Sequence, residues 1–192
     1  MTIDITNCNK INVTDSCALW NILSSPTFYA VLEDQHFTFS CTDFVVYECL
    51  YRSRTTISSD EAQLQQLAKT RLAQQKISSH PLTIEDLQDE QILAYRRKLG
   101  RGELSSIAFA KKTGLCFLTD DRQARSLGCA ILGRERVQTT PLLLGWLLFH
   151  GHLSDQDLEP IISDHKRYGR PLEKYFREVH AEAWRIKLMT RN

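Results

Sequence analysis

The sequence predicts an α/β domain. The expected form is a three-layer α/β/α fold with a central, mostly parallel sheet, a helical insert at about 51–99 and further helices at the C-terminal end. Three observations lead there. Apolar runs of strand length alternate with longer segments of helical periodicity. One run, LCFL at 115–118, is apolar throughout, which suits a central parallel strand covered on both faces. The chain has 192 residues and a hydrophobic fraction of 42%, enough for one core and short for two domains. Residues 1–192 therefore read as one domain with its core at about 11–180.

Taken in order, Ile11-Asn-Val13 alternates as a strand and ends at a polar corner, Thr14-Asp15-Ser16. A helix follows from Cys17 to Leu23 and stops at Ser24-Ser25-Pro26. Phe37-Thr-Phe39 is the second strand, and Thr42 or Asp43 caps a helix through Val45, Val46, Cys49 and Leu50. Residues 60–76 form an amphipathic helix with Leu64, Leu67, Ala68 and Leu72 at helical spacing. Ser78-Ser-His-Pro81 reads as a loop, 82–84 as a short strand and 85–99 as a helix. Gly100-Arg-Gly102 breaks that helix; the next runs over 103–112, with Gly114 as its C-cap. Thr119-Asp-Asp121 closes the apolar strand, a short helix leads to Gly128, and Ala130-Ile-Leu132 reads as a further strand. Thr139-Thr-Pro141 is a cap followed by proline at the first helical position, opening a buried helix over 142–149. Ser154, with Asp157 three residues on, opens another helix. Gly169-Arg-Pro171 separates it from a last helix that ends near 188.

Composition excludes several classes. The longest apolar run, at 142–149, is eight residues, far below the roughly 20 a bilayer helix needs. The segment MTIDITNCNK shows no basic stretch followed by an apolar one, so no secretory leader is expected. None of the six cysteines forms a C-x-x-C pair. Cys17, Cys49, Cys116 and Cys129, beside apolar residues, read as reduced buried thiols of a cytoplasmic protein. The formal net charge is +1, but its distribution is uneven. Residues 1–50 carry one base against six acids, 96–136 ten bases against four acids, and 165–192 eight bases against three. An acidic pocket within a basic surround accounts for this, as do helix faces that differ in sign.

The acids are placed for chemistry. Asp15 and Asp120 each end an apolar strand just before a helix, and open parallel sheets bind ligands beyond the carboxyl ends of their strands. Glu48 lies in the helix after the second strand, and Glu103 in the first turn after Gly100-x-Gly102. Converging carboxylates repel and raise one another's pKa, and a divalent cation relieves this. Such a cation activates water and neutralises charge on a phosphoryl oxygen. Each acid also has a plainer reading. Asp15 and either Asp120 or Asp121 are suited to cap a helix, Glu103 to face a helix dipole, and Glu48 to pair with a base. Spacing does not choose between these.

The run GRGELSSIAFAKKTG at 100–114 followed by LCFLTDDRQAR at 115–125 resembles the PIN-domain nucleases, in the branch with a Gly-x-Gly-Glu helix and an Asp-Asp-x-x-Ala-Arg segment. Val13-Thr-Asp-Ser resembles that family's first strand and acid, and VVYECL at 45–50 its second acidic helix. TPLLLGWLL at 140–148, followed by a Gly-x-Leu-Ser helix, resembles its C-terminal portion. The resemblance covers about 11–180 and departs at the insert over 51–99 and at a third acid that is Glu rather than the commoner Asp. It implies a domain that binds Mg²⁺ or Mn²⁺ and hydrolyses phosphodiesters, usually in RNA. Asp15, Glu48, Glu103 and Asp120 would be the catalytic and metal-holding acids, with Asp121 assisting and Thr119 orienting the site. Arg97, Arg101, Arg122 and Arg125 would hold the substrate backbone. A second copy of the chain and an antitoxin protein are the expected protein partners, the latter if the nuclease is the toxin of a toxin–antitoxin pair. The alternative is a PIN fold that binds nucleic acid or protein without cutting.

Other motifs read as structural. His150-x-His152 is a surface pair at a helix end, and Trp20, Trp146 and Trp184 are packing residues. Gly100-x-Gly102 lacks the third glycine and the preceding strand of a dinucleotide fingerprint, and there is no G-x-S-x-G.

Overall fold

The computed structural model describes residues 4–52, 56–89, 92, 94 and 98–190. The strands are β1 (Ile11–Thr14), β2 (Thr38–Thr42), β3 (Ile77–His80), β4 (Cys116–Leu118) and β5 (Val137–Gln138). The helices are α1 (Ser16–Leu23), α2 (Pro26–Asp34), α3 (Asp43–Val46), α4 (Ser59–Ala73), α5 (Ile84–Leu87), α6 (Arg101–Thr113), α7 (Arg122–Leu132), α8 (Thr140–Phe149), α9 (Asp155–Arg167) and α10 (Glu173–Thr190). A π-helical turn, Tyr47–Tyr51, continues α3.

The five strands form one sheet in the order β3-β2-β1-β4-β5, and every pairing is parallel. Each crossover therefore needs a helix, and helices cover both faces. Val13 and Phe117, paired in register, face one layer with Ile107, Ala124 and Leu127. Phe39, Cys41 and Leu118 face the other with Leu19, Leu143 and Phe176. The predicted three-layer α/β/α fold is thus the observed one.

Connection order fixes where a ligand can sit. From β1 the chain winds outward through β2 to β3, then returns to place β4 and β5 on β1's other side. The crevice at the carboxyl ends of β1 and β4 is the point at which the winding reverses, and it is there that such sheets bind ligands. Asp15 and Thr119 are the residues that follow those two strands.

Several sequence expectations change in detail. Ser78–His80, expected as a loop, belongs to β3, so the 51–99 insert contributes an edge strand as well as α4. Polar residues serve at an edge, where Ser40 and Ser78 pair their hydroxyls at 2.8 Å. The expected strand at 82–84 is absent among the described residues, and α5 begins at Ile84 behind a Thr83–Asp86 capping box. Ala130–Leu132 is the last turn of α7 rather than a strand; β5 lies further on. Pro26, read only as a stop, opens α2 as its first-turn proline behind the Ser25 cap. The Gly114 C-cap, with φ 76°, and the Thr139 cap before Pro141 are as expected. All six cysteines are unpaired; Cys49 and Cys116 are buried, whereas Cys17 and Cys129 are half-buried. Trp20 and Trp146 are packed, but Trp184 is 42% exposed and donates its indole N–H to Asp155. Among the described residues no helix is long and apolar enough to cross a membrane.

Candidate functional site

Asp15 stands at the β1–α1 corner and is 1% exposed. Its Oδ1 accepts the Ala18 amide at 2.8 Å, so it does cap α1. Its Oδ2 accepts the Thr119 hydroxyl from the neighbouring strand end. Burial pushes the Asp15 carboxyl up to about 7; the two hydrogen bonds oppose the rise, and Asp120 and Glu103 add to it. Capping and site membership are therefore compatible in one side chain.

The tie between Asp120 and Asp121 is resolved by direction. Asp121 Oδ1 accepts the Ala124 amide at 2.7 Å, which makes it the N-cap of α7. Asp120 turns the other way. Its Oδ2 accepts Asn21 Nδ2 at 2.7 Å and the Thr140 hydroxyl, while its Oδ1 accepts the Thr140 amide at 2.9 Å. Burial raises its carboxyl above the ordinary range despite these donors. Asn21 and Thr140 were not among the expected site residues. The available signal was a buried amide inside the apolar helix pattern of 17–23, because such a group requires a partner. Below Asn21, the buried His165 places Nδ1 at 2.8 Å from Ile161 O and Nε2 at 2.9 Å from Asn21 O, tying α9 to α1.

Glu48 and Glu103 come from the other side of β1. The amide of Gly102 donates to Glu48 Oε1 at 3.2 Å and the Ser16 hydroxyl to Oε2 at 2.8 Å. These bonds join the π-helical turn to the starts of α6 and α1. The two glycines of Gly100-Arg-Gly102 have a spatial purpose. A Cβ on Gly102 would overlap Glu48 Oε2, and one on Gly100 would overlap Glu103 Oε2. Glu103 Oε2 is buried and has no hydrogen-bond partner. Burial chiefly, then the charges of Glu48 and Asp121, raise the Glu103 carboxyl.

Thus Asp15, Glu48, Glu103, Asp120 and Asp121 share one rim, where Asp15 feels the charges of Asp120 and Glu103, and Glu103 those of Glu48 and Asp121. Among the described residues, no three His, Cys, Asp or Glu side chains stand close enough to grip one ion as they lie. The donor set nonetheless fits a hard divalent cation. It is all carboxylate oxygen, it contains a buried orphaned oxygen, and its members raise one another's pKa. An ionised carboxylate has about four lone-pair sites, so Asp15, which accepts two hydrogen bonds, retains capacity for more.

Of the expected phosphate-binding arginines, Arg101 is exposed at the first turn of α6, and Arg122 and Arg125 are exposed on the first turn of α7. Arg97 lies outside the described residues. Beside Glu48 a cleft of about 570 Å³ opens, lined by Asp43, Phe44, Tyr47, Glu48, Arg52, Gly100 and Arg101. Compared with protein-family models, with curated proteins and with solved structures, the chain matches none.

Proposed function

We propose that this protein is a metal-dependent nuclease that hydrolyses phosphodiester bonds, acting as an endoribonuclease of the PIN type. One observation carries the reading. Asp15 and Asp120 follow the two strands that flank the reversal point of a parallel sheet, and Glu48 and Glu103 approach the same rim over two glycines. The resemblance of 100–125 to PIN nucleases supports the same reading.

Asp15, Glu48 and Glu103 would hold Mg²⁺ or Mn²⁺, with Asp120 fixed at the rim by Asn21 and Thr140 and Asp121 adding charge nearby. When bound, the ion supplies an acidified water and neutralises charge on the phosphoryl group. Thr119 keeps Asp15 turned towards the crevice. Arg101, Arg122 and Arg125, together with Arg97, would take the phosphates on either side. The exposed Trp184, Leu188 and Met189 near the end of α10 supply an apolar surface for a second copy or an antitoxin.

The test is cleavage of a mixed RNA pool with Mn²⁺ and with EDTA, using wild type and Glu103→Gln. Mn²⁺-dependent cutting that Glu103→Gln abolishes is expected. Metal-independent or absent cutting overturns the reading. A binding module that does not cut is the second reading. It is favoured by the fact that Asp15 and Asp121 both cap helices and that, among the described residues, no three acids meet around one point.

A further inference from the structure

The π-helical turn that carries Glu48 also builds the cleft beside it. In this turn the Arg52 amide bonds the Tyr47 carbonyl at 2.8 Å, a five-residue step that sets Arg52 one turn above Tyr47. Inserted π turns of this kind are frequent at functional sites. Tyr47 is 57% exposed and Tyr51 66% exposed, so both rings present a face to solvent. Arg52 and Arg101 are exposed on the walls of the cleft. Among the described residues neither makes an ion pair with a carboxylate. Two carboxylates share the lining: Asp43 accepts the Ser79 hydroxyl, and Glu48 accepts the Ser16 hydroxyl and the Gly102 amide. At about 570 Å³ the cleft falls within the usual range for small-ligand sites, roughly 300–1,000 Å³.

The chemistry of these walls selects one kind of occupant. An exposed aromatic face invites a flat π-system, and two guanidiniums without a carboxylate partner among the described residues invite a phosphate on either side of it. We infer that the cleft is a subsite for one unpaired nucleotide, whose base stacks on Tyr47 while Arg52 and Arg101 take its flanking phosphates. This rests on the nuclease reading for what happens next, because Glu48 lines both the cleft and the acidic rim. It also gives the site a selectivity. In a duplex both faces of a base are already stacked, so only a single-stranded segment can place a base on Tyr47.

The test separates binding from cutting. A fluorescein-labelled uridine hexamer is titrated in EDTA at low salt, where no metal-dependent cleavage occurs, and anisotropy is read. Tyr47→Ala should weaken binding by about 5- to 150-fold, the range for loss of one base–aromatic stack, and Tyr47→Phe should bind as wild type does. A hexamer series with one abasic position should contain a member that loses affinity with wild type but loses nothing more with Tyr47→Ala. Duplex RNA should fail to compete. Equal binding by Tyr47→Ala and wild type overturns the subsite, as does no binding by wild type or effective competition by duplex. None of these results bears on Mn²⁺-dependent cleavage by Asp15, which is measured separately. Stacking without cleavage would keep the subsite and discard the nuclease.

Discussion

The Thr119 hydroxyl donates to Asp15 across the junction of β1 and β4, and the Asp121 amide donates to that same hydroxyl at 3.1 Å. One small side chain thus sets the rotation of the β1 acid and the path of the chain that presents Asp120. Thr119→Val keeps the shape and removes both bonds. Cleavage by this variant is expected to fall about tenfold or more with a near-normal circular dichroism spectrum. Unchanged rates would reduce Thr119 to packing.

Asp15→Asn isolates the charge from the cap, because asparagine caps a helix as well as aspartate does. Mn²⁺-dependent cleavage should drop at least about a hundredfold, the scale for loss of one key electrostatic group, while the melting temperature in EDTA holds or rises. A variant that cuts normally would remove Asp15 from the site.

Gly102→Ala sets stability against activity. The new methyl meets the far end of the Glu48 side chain, which can swing away cheaply, but only by leaving the Gly102 amide. Alanine is also favoured over glycine inside a helix by about 1 kcal/mol. The melting temperature should therefore hold or rise while cleavage falls. Parallel loss of both would mean that Gly102 is needed for the fold itself.

The pH dependence has a definite sign. The folded Asp15 carboxyl is raised from 3.8 to about 7, and Glu103 moves in the same direction. Their contribution to stability is therefore complete below about pH 4 and is lost as pH rises towards 7, because the unfolded chain ionises first. Exposed acids with lowered values, such as Asp86 and Asp155, act oppositely, so the informative quantity is a difference between proteins. In EDTA, wild type should lose more stability between pH 4.5 and 7.5 than Asp15→Asn does. Mn²⁺ at 100 times its Kd should return about 2.7 kcal/mol to wild type at pH 7.5, roughly 5–11 °C for a domain of this size. Identical pH profiles for the two proteins would show that Asp15 is ionised and uncoupled in the resting fold.

Asn21→Ala leaves the buried Asp120 carboxylate with the Thr140 donors alone. A loss of about 1.5–3 kcal/mol is expected, the scale of one hydrogen bond to a charged group, readable in urea melts. No change would indicate that water replaces the amide.

Much of this arrangement was legible in the chain. β1, β2 and β4 announce themselves because their apolar patterns are imposed by burial on one or both faces. β3 is hidden because an edge strand can be Ser-Ser-His and still pair, and β5 because two residues make no pattern. Gly128 misled for a different reason. It reads as a helix end, yet α7 continues through it, since only a missing side chain lets the helix lie against Phe117. The positions of Asp15, Glu103 and Asp120 follow from strand ends and a glycine break, which are local. That Asn21 and Thr140 hold Asp120 depends on how α1 and α8 pack, 99 and 20 residues away in sequence, and no local pattern carries that.

Gln138 in β5 accepts the Asn9 amide on Oε1 at 2.7 Å, and its Nε2 donates to Asn9 O at 3.0 Å and to Asn12 Oδ1 at 2.6 Å. A side-chain amide here ties the edge strand β5 to the segment leading into the central strand β1, meeting both backbone groups of Asn9. The Asn9 carbonyl also accepts the Asn12 side-chain amide at 2.9 Å, so of these two groups Gln138→Ala would leave only the Asn9 amide without its partner, and it would loosen β5 from the N-terminal segment rather than disturb the carboxylate rim.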